Sequence, residues 1–126
     1  MRPATLARVA DLSLEGDVFD LALASFLDGY YANPSAAALT PEPARLVGVF
    51  GRLGEVQDAY LAATADELAR MAGVPSPVWA TRMDRALGTP WFASSLASLR
   101  AVLLLESPPG FRARNLFVSE NALSRA

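Results

Sequence analysis

Residues 55–72, EVQDAYLAATADELARMA, carry the clearest helical pattern in the chain. Apolar side chains recur there mostly at three- and four-residue spacing, which is typical of one buried helix face. The predicted stripe consists of Val56, Tyr60, Ala63, Leu68 and Met71. Asp66 and Arg70 lie four residues apart, so they can pair along the helix. Gly73 suits a helix C-cap, and the stretch therefore predicts a long amphipathic helix that ends at residue 72.

Residues 15–31, EGDVFDLALASFLDGYY, predict another amphipathic helix before it. Its predicted buried stripe consists of Val18, Leu21, Ala22, Phe26 and Tyr30. Asn33–Pro34 ends this helix, because proline disfavours helical conformation in the residue that precedes it. A short helix is predicted over residues 3–11. Three glycines follow between residues 48 and 54, and each costs about 1 kcal/mol against alanine inside a helix, so we expect a break near Gly51–Gly54.

Residues 92–106, FASSLASLRAVLLLE, predict the helix at the centre of the fold. One face consists of Phe92, Leu96, Leu99 and Leu103. Val102, Leu104 and Leu105 widen it to nearly all sides, which is typical of a buried helix. Short helices are predicted over 77–86, 109–114 and 120–125. Because β-branched residues are sparse and no stretch alternates strictly, we expect no sheet. The pattern predicts a single all-α domain over residues 1–126, a bundle of four main helices with shorter helical turns.

The residue types that the chain lacks restrict its chemistry. There is no cysteine, no histidine and no lysine among the 126 residues. Zinc, haem and iron–sulfur sites therefore lose their usual ligands, and the common catalytic pairs lose their base or nucleophile. The close carboxylate pairs Asp17/Asp20 and Asp66/Glu67 are interpreted as solvated helix faces. We expect a protein that is not an enzyme and that uses no metal and no cofactor.

Charge and hydropathy give no reason to expect a membrane or bulk electrostatic attraction. The net charge is −2. Residues 1–63 carry eight acids and four arginines, which gives −4, while residues 64–126 carry five acids and seven arginines, which gives +2. No apolar run approaches the roughly 20 residues of a membrane span, and the first residues lack the pattern of a signal peptide. The expected location is the cytoplasm.

The segment TADELARMAGVPSPVWATRM, residues 64–83, resembles a helix-turn-helix, the common DNA-binding motif. Ala69 and Gly73 stand at the separation that the motif requires. The second helix departs from the motif, because Pro75 and Pro77 occupy its start and Arg82 stands where an apolar residue belongs. Only Arg82 and Arg85 would be available for phosphate contacts. A DNA-binding transcriptional regulator is therefore the alternative function.

The second half of the chain carries a further set of motifs. They are Pro77-x-Trp79, Pro90-Trp91-Phe92 and ESPPGFRARNLFV at 106–118. With these motifs the chain resembles a little-characterised family of small bacterial proteins. The resemblance implies a protein partner, since some members accompany predicted nucleotidyltransferases in toxin–antitoxin-like pairs. It implies no catalytic residue.

Aromatic and arginine side chains are the usual centres of protein interfaces. The candidate partner-binding residues are Trp79, Trp91, Phe92, Arg112, Arg114 and Asn115. The alternative interpretation is structural: the aromatic rings cover the core, and the arginines hold the tail onto the domain. The two interpretations predict opposite burial for these side chains. The favoured function is a non-enzymatic, antitoxin-like protein that binds, and in that way neutralises, a nucleotidyltransferase-type toxin.

Overall fold

A computed structural model describes residues 2–94 and 96–125 of the chain. It is 58% helical, with six helices of which four have seven residues or more, and the predicted all-α class is confirmed. The helices are α1 (Leu6–Leu14), α2 (Phe19–Ala32), α3 (Val47–Phe50), α4 (Arg52–Ala72), α5 (Arg100–Glu106) and α6 (Pro109–Arg112). Short 3₁₀ turns lie at Ala36–Ala38, Val78–Thr81, Met83–Arg85 and Ala97–Leu99.

The 21-residue helix α4 occupies the middle of the fold. It contacts α3, α6 and the 3₁₀ turns that follow it. Five of its alanines are completely buried, and their small side chains allow these elements to approach the helix closely. They are Ala59, Ala62, Ala63, Ala65 and Ala69. The predicted helix end is confirmed, because Gly73 adopts the left-handed conformation with φ 70° and caps Ala69 and Arg70. Of the predicted stripe, Met71 is exposed instead of buried.

Helices α1 and α2 pack against each other as a hairpin. The connection is a tight turn in which Gly16 has φ 109° and the Asp17 amide donates to the Leu12 carbonyl at 2.9 Å. After this turn α2 begins at Phe19, with Val18 as its N-cap. The side chains that face inward differ from the predicted ones. Phe19 and Leu23 are buried, whereas Val18 and Leu21 are 60% and 69% exposed, so the predicted stripe was wrong at these two positions.

The prediction of a central helix over residues 92–106 was wrong. Phe92 belongs to a two-residue strand, β1 (Trp91–Phe92), which pairs in parallel with β2 (Leu116–Phe117). Ser95 lies outside the described residues, and α5 begins at Arg100. The structure describes all seven residues of α5, and of these Leu103 is the buried one. The apolar pattern was correct, but α4 already occupies the centre, so α5 lies at the surface.

Several shorter elements also differ from the prediction. The helix expected over 77–86 is replaced by the two 3₁₀ turns between residues 78 and 85, because Pro77 and the extended Arg82 interrupt it. The helix expected over 109–114 ends at Arg112. The helix expected over 120–125 is a set of hydrogen-bonded turns. In residues 2–94 and 96–125, no helix is long and apolar enough to cross a bilayer.

The break near Gly51–Gly54 is confirmed and joins α3 tightly to α4. Gly51 has φ 62°, which a residue with a side chain rarely adopts. Gly54 lies directly under the backbone of α3, where an added Cβ would overlap the Leu46 carbonyl. The buried Asp58 carboxylate then accepts the amide protons of Leu46 at 2.8 Å and Val47 at 3.2 Å. A side chain of α4 thus caps the start of α3.

Gly54→Ala should destabilise the chain, because the new methyl group forces α3 away from α4 and from Asp58. We expect a loss of about 1–3 kcal/mol in the free energy of unfolding, measured by urea denaturation. Gly48→Ala is the matched control, since a Cβ at this α3 position meets nothing within 4 Å. It should leave stability unchanged or raise it slightly. Equal effects of the two substitutions would contradict the close α3–α4 contact.

Candidate functional site

The predicted partner-binding residues divide into an interior group and a surface group. Trp79 belongs to the interior: it is buried, and its indole Nε1 donates to the Leu39 carbonyl at 3.0 Å. The Arg85 guanidinium lies 4.9 Å from the centre of its ring. Trp79 therefore joins the loop before α3 to the turn after α4.

Arg114 is also interior, and both Nη atoms of its guanidinium donate hydrogen bonds within the molecule. Nη1 donates to the Gly110 carbonyl at 2.7 Å and to the Asp66 carboxylate at 3.1 Å. Nη2 donates to the Ala80 carbonyl at 2.5 Å. The side chain is 9% exposed. Arg114 thus connects the tail to α4 and to the first 3₁₀ turn after it, as the structural interpretation expects.

Asn115 serves the backbone conformation of the chain rather than an interface with a partner. It has φ 61°, a conformation that asparagine tolerates better than most residues. Its Nδ2 donates to the Leu87 carbonyl at 2.8 Å, and its own carbonyl accepts the Trp91 amide proton at 2.9 Å. Asn115 therefore turns the chain into β2 and sets the register of the two strands.

Trp91 and Phe92 are both partly exposed, on the strand β1. The Phe92 ring stacks on Phe117 at 5.1 Å, and the Arg100 guanidinium lies 5.0 Å from its centre. Trp91 lines an open cleft of about 430 Å³ beside α2, together with Tyr60. Burial raises the pKa of the Tyr60 phenol to about 12, so Tyr60 stays neutral there.

Arg112 is the one candidate arginine at the surface. It lies in the last turn of α6 and is exposed. Its guanidinium makes no hydrogen bond or ion pair with any described residue, in contrast to Arg114 two residues later. Of the six candidates, Trp91, Phe92 and Arg112 are thus accessible to a partner, and Trp79, Arg114 and Asn115 support the fold.

The interpretation of Asp66 and Glu67 as a solvated helix face was wrong. Glu67 is buried, and its carboxylate accepts the Gly110 amide proton at 2.6 Å. Asp66 accepts bonds from Ser76 and Arg114. The predicted Asp66–Arg70 pair is present at 3.7 Å, and Arg70 also contacts Glu67 at 3.0 Å. Sequence spacing held no signal for the bonds to Gly110 and Arg114, because these residues lie 43 positions after Glu67 and 48 positions after Asp66. In residues 2–94 and 96–125, no group of three or more acids is placed to hold a metal ion.

A second interior arginine is less completely paired. The Arg85 side chain is fully buried; Nη2 donates to the Pro43 carbonyl at 2.5 Å and lies 3.5 Å from the Glu42 carboxylate. Nε and Nη1 have no hydrogen-bond partner among the described residues. Burial lowers the pKa of Arg85, which reflects the cost of a charge in this position.

The outward face of α5, which the prediction placed in the core, is an exposed apolar surface. Leu105 is 82% exposed, and Val102 and Leu104 are each close to half exposed. Ala101 and Leu105 lie one helical turn apart and mark the middle of this face. Leu96 and Leu99 extend it before the helix starts. We call Leu96, Leu99, Ala101, Val102, Leu104 and Leu105 the α5 face.

Arg114→Met should destabilise the fold, because it removes the guanidinium from Asp66 and leaves the Gly110 and Ala80 carbonyls without this donor. We expect a loss of about 3 kcal/mol in the free energy of unfolding, as is common when one partner of a buried ion pair is removed. Arg112→Ala is the control and should change stability by less than about 0.5 kcal/mol. Urea unfolding of both variants measures the difference. An Arg114 variant as stable as the wild type would show that the tail is held by its apolar contacts alone.

Comparison with known proteins gave no match: neither a protein-family model, nor a curated protein, nor a solved structure is similar to this chain at a significant level. Function is therefore inferred below from the chemistry of the surfaces just described.

Proposed function

We propose that this chain is a non-enzymatic partner-binding protein that docks a second, different protein on its α5 face. The observation that carries the proposal is the exposure of a helix whose residues 101–105 read AVLLL. Monomeric soluble proteins rarely expose a contiguous apolar patch larger than a few hundred Å², and such patches commonly mark interaction sites. A docked partner would remove this surface from water.

The chemistry of the α5 face favours a protein over nucleic acid. No charged residue lies between Arg100 and Glu106, and Arg100 already lies against Phe92. Phosphate contacts need several cationic side chains, which this face does not offer. The helix-turn-helix alternative is also less well supported, since two 3₁₀ turns lie where the recognition helix would be. An apolar helix instead suits a hydrophobic groove on another protein.

The size of α5 favours a different protein over a second copy of this chain. Seven residues extend for roughly 10 Å along the axis at 1.5 Å per residue. Two such helices laid side by side would bury far less than the roughly 800 Å² per partner of a standard stable interface. A groove that encloses the helix on several sides buries more of each side chain. Phe92, which contacts Arg100 at the start of α5, is then available at the edge of such an interface.

Within this class we propose an antitoxin-like role, with a nucleotidyltransferase-type toxin as the partner. The supporting observations are the exposed apolar face and the resemblance of residues 56–126 to a family of small bacterial proteins, some of which accompany predicted nucleotidyltransferases. Binding alone would neutralise the toxin, so this chain needs no catalytic group. The antitoxin then acts by covering a surface that the toxin needs.

Leu105→Glu should abolish partner binding without unfolding the chain. Leu105 is 82% exposed, so a carboxylate there stays in water in the free protein but would be buried in the complex. We expect at least tenfold weaker binding, about 1.4 kcal/mol, to the proposed nucleotidyltransferase-type toxin, and loss of growth rescue when both are co-expressed. Calorimetry on the purified pair measures the affinity.

Met83→Glu provides the matched control, because Met83 is 88% exposed but lies outside the α5 face. It should melt, bind and rescue as the wild type does. Equal binding by both variants would overturn the α5 face as the docking site. A wild-type dimer that Leu105→Glu converts to a monomer would show that the face serves a second copy instead.

A further inference from the structure

The strand β1 has one edge that faces β2 and one edge that faces away from it. The Trp91 amide donates to the Asn115 carbonyl at 2.9 Å. Two residues later, the Ala93 amide donates to the Phe117 carbonyl at 2.9 Å. Because the backbone groups of successive strand residues point in opposite directions, those of Phe92 point away from β2. The N–H and C=O of Phe92 make no hydrogen bond with a described residue, so β1 has an open edge at Phe92.

The outer edge of β2, by contrast, is closed by a side chain. The Ser107 hydroxyl donates to the Leu116 carbonyl at 3.1 Å and accepts the Val118 amide proton at 2.7 Å. A hydroxyl can do both, since it carries one donor and two acceptor sites. Ser107 is buried, and it occupies the place that a third strand would take on that side. Of the two outer edges of the sheet, the one beside β1 can therefore accept a further strand.

The chain on either side of this open edge is accessible. Residues 88–90 and Ala93 are exposed, and both residues of β1 are partly exposed. Open strand edges are templates for pairing with another chain, and most proteins cover or blunt them. The open stretch of β1 is short, so backbone bonds alone would bind a second chain weakly. Side chains beside the edge must contribute to any stable pairing.

Both faces of β1 offer such side chains. Trp91 and Ala93 share one face and line the cleft of about 430 Å³ beside α2. Phe92 lies on the opposite face, where the Arg100 guanidinium at the start of α5 lies 5.0 Å from the centre of its ring. Alternate side chains of an added strand would therefore lie beside Trp91 on one face and beside Phe92 on the other. The open edge is in this way continuous with the start of the α5 face.

We propose that β1 accepts an extended segment of a protein partner, which adds a third strand to the sheet at Phe92. An extended polypeptide carries the donor and the acceptor that the Phe92 backbone lacks, and its alternate side chains supply selectivity. An apolar side chain suits the Trp91 face, since Leu23, Leu27 and Val118 also line the cleft there. The strand edge is a second contact for the partner proposed above and in that respect rests on the proposed function.

The edge can be tested without the partner by hydrogen exchange and by titration with an extended peptide in heteronuclear NMR. In the free chain the Phe92 amide should exchange quickly with water, whereas the Trp91 and Ala93 amides are bonded to β2 and should be protected. The probe is acetyl-Lys-Val-Thr-Val-Thr-Val-Lys-amide. We expect it to bind with an affinity on the order of millimolar and to slow exchange at Phe92. A Phe92 amide that is already protected, or no saturable shift at residues 90–93, would overturn the open edge.

Methylated peptides separate backbone pairing from contact by side chains. N-methylation of every threonine amide blocks one edge of the extended peptide, and N-methylation of every valine amide blocks the other, because neighbouring amides point in opposite directions. One of these two analogues should bind the chain at least about fivefold more weakly than the other, since it loses its hydrogen bonds to Phe92. Equal affinity of the two would show that side chains alone bind, and it would contradict strand addition.

Two variants of the chain assign the effect to the Phe92 backbone. Phe92→Pro removes the outward N–H and keeps the ladder donors, which belong to Trp91 and Ala93. Phe92→Ala is the matched control, because it loses the same ring and keeps the N–H. We expect Phe92→Pro to bind the unmethylated peptide at least about fivefold more weakly than Phe92→Ala does. Equal binding by two folded variants would contradict the proposal; if Phe92→Pro does not fold, the methylated peptides decide alone.

The last step uses the proposed toxin, which Phe92→Pro should bind more weakly than Phe92→Ala does, by a similar factor. Equal affinities would overturn the edge as a partner contact but would leave the α5 face standing. Failure of Leu105→Glu to weaken binding, with Phe92→Pro impaired, would overturn the α5 face alone. A wild-type dimer that Phe92→Pro converts to a monomer would show that the edge serves a second copy of the chain, and it would overturn the partner segment as the occupant.

Discussion

The structure depends on buried carboxylates of α4 that bond to the backbone and side chains of other segments. Asp58 accepts two amide protons at the start of α3, and Glu67 accepts the Gly110 amide proton. Asp66 binds Arg114 and Ser76. A buried carboxylate is costly unless it is bonded, so each of these contacts fixes the position of a distant segment against one helix. The alanines between them let those segments lie close to α4.

Part of this architecture could be predicted because its signals are local. The end of α4 at Gly73 and the break near Gly51 follow from backbone preferences of single residues, although the helix begins at Arg52, three residues before the predicted start at residue 55. The position of residues 92–106 in the fold could not be predicted correctly. An apolar pattern indicates which side chains favour burial, but it does not identify the element that would bury them. Alanine-rich α4 occupies the centre instead, because it packs against segments that are distant in sequence.

The candidate site shows the same difference between local signals and contacts that are distant in sequence. Aromatic and arginine residues in the second half were predicted as partner-binding residues, but composition alone could not separate interior from surface. Arg112 and Arg114 are two positions apart. Arg114 stabilises the fold because hydrogen-bond acceptors surround its guanidinium. The exposure of the α5 face could not be predicted, because it depends on the packing of other elements.

Amide hydrogen exchange on the free chain tests most directly the claim that α4 is the core and α5 a surface helix. Residues in the middle of α4 should exchange only through global unfolding, because most side chains between Asp58 and Ala69 are buried. Residues 101–106, held mainly by Leu103, should exchange at a much lower free energy of opening. Protection in α5 equal to that in α4 would contradict the account, since it would show that residues 100–106 belong to the core and are not free for a partner.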